Sequence, residues 1–150
     1  MSRARSVQDF VRQKKLALVG ASRSGQKFGN TILNELKGKG YTVYPIHPDA
    51  VSISGEPCYS SFAALPEAVD GAVVSVKPER TSDVVRDAHA AGITRVWIQQ
   101  GAESNDAIAY CEEHGVDVVT GECLLMFVEP VESIHRLHRF FKRILGRMPA

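Results

Sequence analysis

The stretch Leu16-Ala17-Leu18-Val19-Gly20-Ala21-Ser22-Arg23-Ser24-Gly25-Gln26-Lys27-Phe28-Gly29 constrains this chain more than any other. Four apolar residues in a row suit a strand buried on both faces, and the Gly- and Ser-rich run after them suits a tight turn into a helix. A helix that begins there leaves its first N–H groups unpartnered and aims the positive end of its dipole at the turn, which favours an anion. Gly20 and Gly25 lack a Cβ and let the backbone approach a phosphate, while Arg23 and Lys27 add positive charge. Gly20-x-Ser22-x-x-Gly25 follows the dinucleotide fingerprint with Ser at the second glycine, a departure that weakens a nicotinamide reading. A nucleoside-triphosphatase loop fits worse, because Gln26 separates Gly25 from Lys27 and Phe28 stands where Ser or Thr is needed.

The remainder of the chain supplies the repeating context that such a loop needs. Val7, Phe10 and Val11 share one face of a short N-terminal helix that would brace the sheet. Ile32, Leu33 and Leu36 give the buried stripe of the helix after the loop, which Gly38 and Gly40 end. Tyr41-Thr42-Val43-Tyr44-Pro45-Ile46 reads as a second strand, Asp70 to Val76 as a third, Thr94 to Ile98 as a fourth and Val116 to Val119 as a fifth. Between them lie a helix opened by Lys77-Pro78 and one carrying Ala107, Ile108 and Cys111. After His47-Pro48-Asp49 a long loop follows, in which Gly55-Glu56-Pro57-Cys58-Tyr59 contains two breakers and reads as irregular, and Ser60 or Ser61 reads as the cap of a short helix through Leu65. Five strands alternating with helices predict an α/β fold: a Rossmann-like, doubly wound, parallel five-stranded sheet with an added C-terminal helix. We therefore expect a single domain over residues 1–150, with its core at about 14–123 and a helical extension over 124–150.

Composition narrows the functional classes. A formal net charge of +1 gives no general attraction to nucleic acid or to an anionic membrane. No apolar run is long enough to span a bilayer and no secretory leader is evident, so the expected location is cytoplasmic. Cys58, Cys111 and Cys123 are odd in number and widely spaced, which suits buried, reduced thiols better than a disulfide framework or a zinc site. The basic C-terminal residues Arg136, Arg139, Lys142, Arg143 and Arg147 suit a solvated helix face better than a nucleic-acid patch.

In a doubly wound sheet, the loops at the carboxyl ends of the strands converge on one crevice. Here those loops are residues 20–25, 47–49 around His47 and Pro48, 77–78 with Lys77 and Pro78, and 99–101 with Gln100 and Gly101. Of the five histidines only His47 falls there; His89, His114, His135 and His138 lie on or near helices, where solvated or capping roles suit them. No nucleophile–base pair and no metal motif stands out, so the chemistry of catalysis is silent.

Val19-Gly20-Ala21-Ser22, the strand end Tyr44-Pro45-Ile46-His47-Pro48, Cys58-Tyr59, Leu65-Pro66, Val69-Asp70 and Trp97-Ile98-Gln99-Gln100-Gly101 together resemble the small stand-alone CoA-binding proteins. These are similar to the nucleotide-binding domain of the succinyl-CoA synthetase α subunit. The resemblance implies coenzyme A or an acyl-CoA as ligand, with the diphosphate against Gly20, Ala21 and Ser22 and the ribose and adenine near Pro48, Val74 and Lys77. It implies a carrier, sensor or regulatory module without catalysis of its own, because the synthetase's phosphorylated His lies in a further domain. A protein partner or a second copy of the chain stays open. His47-Pro48-Asp49 stands where the family commonly has Asn-Pro-Lys, and Gly121-Glu122-Cys123 where Asp-Arg-Cys is frequent. The alternative is an NAD(P)-dependent oxidoreductase, with Asp49 on a ribose diol, or an acyl-CoA enzyme completed by another chain. CoA carries a 3′-phosphate where NAD has a free hydroxyl, and His47 and Lys77 are the candidate donors for it.

Overall fold

The computed structural model describes residues 3–128. In chain order these form α1 (Arg3–Arg12), β1 (Lys15–Val19), α2 (Phe28–Gly38), β2 (Thr42–Ile46), β3 (Ser52–Ile53) and β4 (Glu56–Pro57). A 3-10 turn (Phe62–Ala64) leads to β5 (Gly71–Val74), α3 (Pro78–Ala90), β6 (Arg95–Gln99), α4 (Asn105–Glu113), β7 (Asp117–Glu122) and a second 3-10 turn (Leu124–Met126). The predicted C-terminal helix, with its histidines and basic residues, lies outside the described residues.

Alternation along the buried strands decides the layering. Leu16 and Leu18 of β1 face one cluster, with Phe10, Ile32, Leu33, Leu36, Val73 and Trp97. Ala17 and Val19 face the other, with Val84, Val85, Ala88, Ala107 and Cys111. Side chains of one strand thus go to opposite sides of the sheet, so α1 and α2 cover one face while α3 and α4 cover the other. The five long strands pair in parallel in the order β2-β1-β5-β6-β7. The chain winds outward from β1 in both directions, and the reversal leaves a crevice at the carboxyl ends of β1 and β5. The predicted doubly wound α/β sheet is therefore present.

The N-terminal helix does brace the sheet. Phe10 lies with its ring centroid 5.5 Å from that of Trp97, Asp9 pairs with Arg95 at 2.7 Å, and Ser6 Oγ donates to Asp117 Oδ1 at 2.8 Å. Leu124, Leu125, Met126 and Val128 join the same cluster, so the buried core continues past Cys123. All three cysteines are free thiols, with Cys111 and Cys123 buried and Cys58 half-buried.

Two local expectations need correction. The long loop and its stretch from Gly55 to Tyr59 are not wholly irregular: β3 and β4 pair as an antiparallel hairpin whose turn residues, Ser54 and Gly55, both have positive φ (51° and 79°). That is the backbone of a type I′ turn. The short helix after Ser60 is a single 3-10 turn, and Ser61 makes no capping bond through its side chain.

Candidate functional site

A cleft of about 760 Å³ opens at the carboxyl ends of β1, β2 and β5. Its lining includes Gly20, Ala21, Ser22, Lys27, His47, Pro48, Lys77, Pro78 and Gly101, which the sequence had proposed from four separate loops. Four other proposed residues do not line it. Val74 is fully buried in the sheet, packed with Val19 and Ile98, because its side chain belongs to the α3/α4 face rather than to the strand's open end. Arg23, Gly25 and Gln100 are exposed outside the lining.

The glycines at the head of the cleft work differently from the expected fingerprint. Gly20 has φ +132°, and a Cβ added there would lie 2.1 Å from the Ser75 carbonyl oxygen. The glycine that meets it is Gly29 in the first turn of α2, where an added Cβ would come within 2.5 Å of the Gly20 carbonyl group and 2.7 Å of the Ala21 nitrogen. Both glycines thus serve close packing of helix, strand end and neighbouring loop, as the third glycine of a dinucleotide motif does. A Cβ on Gly25 would meet nothing within 4 Å; its φ of +76° serves the turn.

Between these glycines the loop is organised by Asn30, which is 1% exposed. Its Oδ1 accepts from the backbone N–H of Ser22 (2.9 Å) and of Lys27 (3.2 Å), and its Nδ2 donates to the Ser22 carbonyl (2.9 Å) and to Ser54 Oγ (3.3 Å). One buried amide therefore joins the loop, the start of α2 and the tip of the β3–β4 hairpin. A consequence for the expected diphosphate contact follows: the Ser22 N–H is already engaged. The N–H groups of Ala21, Arg23 and Ser24 have no acceptor among the described residues.

The other loops are held with similar economy of donors. His47 Nδ1 accepts from the Asp49 N–H (3.0 Å) and the Ala50 N–H (3.2 Å), which places the ring proton on Nε2 and leaves one N–H for a ligand. Gly101 gives its N–H to Glu103 Oε1 (2.9 Å), and Gln99, almost fully buried, accepts from the Leu124 N–H (3.0 Å). Thr81 Oγ1 donates to the Ala102 carbonyl (2.7 Å) and fixes α3 to that loop. Lys27, Lys77 and Arg80 bring positive charge to the lining, Asp49 brings one negative charge, and Phe28 is a 42% exposed ring at the rim.

Beyond Pro48 a second chamber of about 470 Å³ adjoins the cleft, lined by Val19, Ile46, Pro48, Phe62, Val84, Ala90 and Ala91 with Ser60, Ser61, Ala63, Arg80 and Asp87. The sequence reading missed this chamber and Arg80. Both come from segments that a strand-end argument does not sample: the 3-10 turn and one face of α3 from Arg80 to its C-cap Ala91. Helical spacing from Lys77 to Arg80 was the available signal, because residues three apart share a helix face. Burial raises the Cys58 thiol above its ordinary range, and it pushes the Cys111 thiol up to about 11. Neither cysteine lines the cleft.

The family model described as CoA binding domain matches residues 14–129. The chain belongs to this CoA-binding family. The acetate–CoA ligase [ADP-forming] I of Archaeoglobus fulgidus is 31% identical over 123 residues, which are 75% of this chain and 18% of the ligase. The chain thus spans less than a fifth of that curated relative. Among solved structures, a hypothetical protein from Pyrococcus horikoshii matches with a TM-score of 0.76 and 28% identity, over 97% of this chain and 94% of that one. A conserved hypothetical protein from Pyrococcus furiosus matches with a TM-score of 0.70 and 40% identity, over 74% of this chain and 96% of that one. The resemblance read from the strand ends is borne out at the level of the family. Among the described residues, no helix is long and apolar enough to cross a membrane.

Proposed function

We propose that this member of the CoA-binding family holds coenzyme A, or an acyl-CoA, at the carboxyl edge of its sheet and acts in the cytoplasm as a carrier, sensor or regulatory module. The observation that carries this reading is the two-compartment cavity: a cleft lined by three cations and one carboxylate continues into a chamber walled mainly by apolar side chains. A diphosphate suits the first, because N–H donors and cations beside a helix start stabilise an anion without reorganising. A flat purine suits the second, where apolar walls exclude water from its faces. In this reading the Ala21 N–H, Lys27 and Lys77 meet the diphosphate, and Phe62, Val84 and Ala91 wall the adenine. The pantetheine arm then leaves past Gly101 and the exposed Phe28 ring. The match with the ligase covers 18% of its length, and the role proposed is correspondingly binding alone.

Isothermal calorimetry at moderate salt tests the assignment by comparing CoA with NAD, which shares the ADP half. We expect CoA to bind at least tenfold more tightly, a difference of about 1.4 kcal/mol. Tighter binding of NAD would reject the reading and make Asp49 the ligand of a ribose diol.

A further inference from the structure

We propose that Arg80 reads the ribose 3′-phosphate and thereby sets the site's selectivity for 3′-phosphorylated adenine nucleotides over those with a free diol. This inference rests on the CoA reading of the cavity. The cleft and the chamber have four lining residues in common: Val19, Ile46, Pro48 and Arg80. Val19 and Ile46 are strand ends with only 7% exposure, so the neck between the compartments has an apolar floor, and Arg80 is its one charged side chain. A ligand with its base in the chamber and its diphosphate in the cleft must pass its ribose through this neck. The 3′-substituent of that ribose then meets the guanidinium.

The charges on either side support this division. Lys27, Lys77 and Asp49 line the cleft but not the chamber, whereas Asp87 lines the chamber but not the cleft. Lys77 is therefore placed for the diphosphate, in place of the 3′-phosphate role that the sequence suggested for it. Arg80 is exposed and its side chain has no hydrogen bond or ion pair among the described residues, although Glu79 and Asp83 lie on the same helix. Its backbone N–H is bonded to the Lys77 carbonyl at 2.9 Å, which fixes the base of the side chain in the first turn of α3. A guanidinium offers paired donors that fit two phosphate oxygens at once, and the positive end of the α3 dipole at that turn favours the negative charge of the phosphate.

The test measures CoA and dephospho-CoA binding by calorimetry to the wild type, to Arg80→Gln and to Lys77→Gln, with thermal melts confirming that each is folded. We expect the wild type to prefer CoA by about tenfold, the usual scale for one charge-assisted phosphate contact. Arg80→Gln should remove that preference by weakening CoA alone, with dephospho-CoA changed by less than about twofold, within the range of lost packing. Lys77→Gln should weaken both ligands alike. Equal weakening of both ligands by Arg80→Gln would assign Arg80 to the diphosphate and overturn the inference, as would a preference that survives the substitution. If the wild type binds neither ligand, the CoA reading itself fails and the inference falls with it.

Discussion

The two ends of the central sheet carry charge in opposite ways. At the amino ends, Lys15 and Arg95 are matched to acids. Lys15 Nζ lies 2.7 Å from Glu67 Oε1, Tyr44 also donates to Glu67, and Arg95 Nε lies 2.7 Å from Asp9 Oδ2. At the carboxyl ends Lys27, Lys77 and Arg80 gather around a cavity, and none of them has a carboxylate partner among the described residues. Exposed ion pairs of the first kind contribute little to stability. Convergent cations of the second kind repel one another and raise the local potential, which suits a surface that meets an anion. The lesson is that one end matches charges within the chain, while the other leaves three cations without a carboxylate among the described residues, as the proposed anion site requires.

The largest expected effect breaks the carboxyl end mechanically. Gly20→Val places a branched side chain against the Ser75 carbonyl in a backbone conformation that L residues rarely adopt. Urea denaturation should show a loss of about 3 kcal/mol, in the range for overpacking plus backbone strain, and CoA binding should fall with it. Wild-type stability in this variant would mean that the strand end and the β5 loop are not in contact.

A smaller effect sharpens the electrostatic contrast. Lys77→Ala should weaken CoA about tenfold and leave the melting temperature near that of the wild type, whereas Lys15→Ala should leave CoA affinity unchanged. Titrations at low and high salt should show the wild type losing affinity with salt more steeply than Lys77→Ala. Equal behaviour of the two lysine variants would remove the distinction between the ends.

The smallest effect belongs to the amino end. Hydrogen bonds from Lys15 and then from Tyr44 hold the Glu67 carboxyl below its ordinary value of 4.5, and the same bond to Glu67 raises Tyr44 to about 12. A carboxyl depressed in the folded state contributes stability above its unfolded pKa and loses it as the pH falls through the folded value. Glu67→Gln should therefore flatten the acid limb of a melting-temperature profile below pH 4.5. The change is expected to be small, because the group is exposed and screened. A large change near neutral pH would show that this pair does more than the geometry indicates.

The sheet was legible because its strands are short apolar runs bounded by glycine and proline, and because Ile32, Leu33 and Leu36 or Val84, Val85 and Ala88 recur at helical spacing. The convergence of Ser22, His47 and Lys77 followed from topology, since parallel strands bring their carboxyl ends to one side. What escaped depends on contacts between distant segments. Gly25 has the expected spacing from Gly20, yet the close approach is made by Gly29, in the first turn of α2, which packs on the Gly20 carbonyl while Gly25 faces open space. Val74 sits beside the crevice in sequence but turns into the core, which only the register of β5 decides. The hairpin turn at Ser54-Gly55 carried a local signal, a Ser-Gly pair at a turn, that the flanking Pro57 obscured. Asn30 carried none, because a buried amide bonded to a loop, a helix start and a hairpin looks in sequence like any polar residue on a helix.

The Asn30 knot has a kinetic meaning. Ordering a residue of backbone costs about 1–2 kcal/mol in conformational entropy, and a loop left free would charge that cost to every binding event. Here the loop is tied to α2 and to the hairpin by bonds made within the chain, so the entropy is lost once, on folding. On the proposed CoA reading, an incoming polyanion would meet a seat already formed, and its rate of arrival would be set by diffusion and ionic strength rather than by waiting for the chain to rearrange.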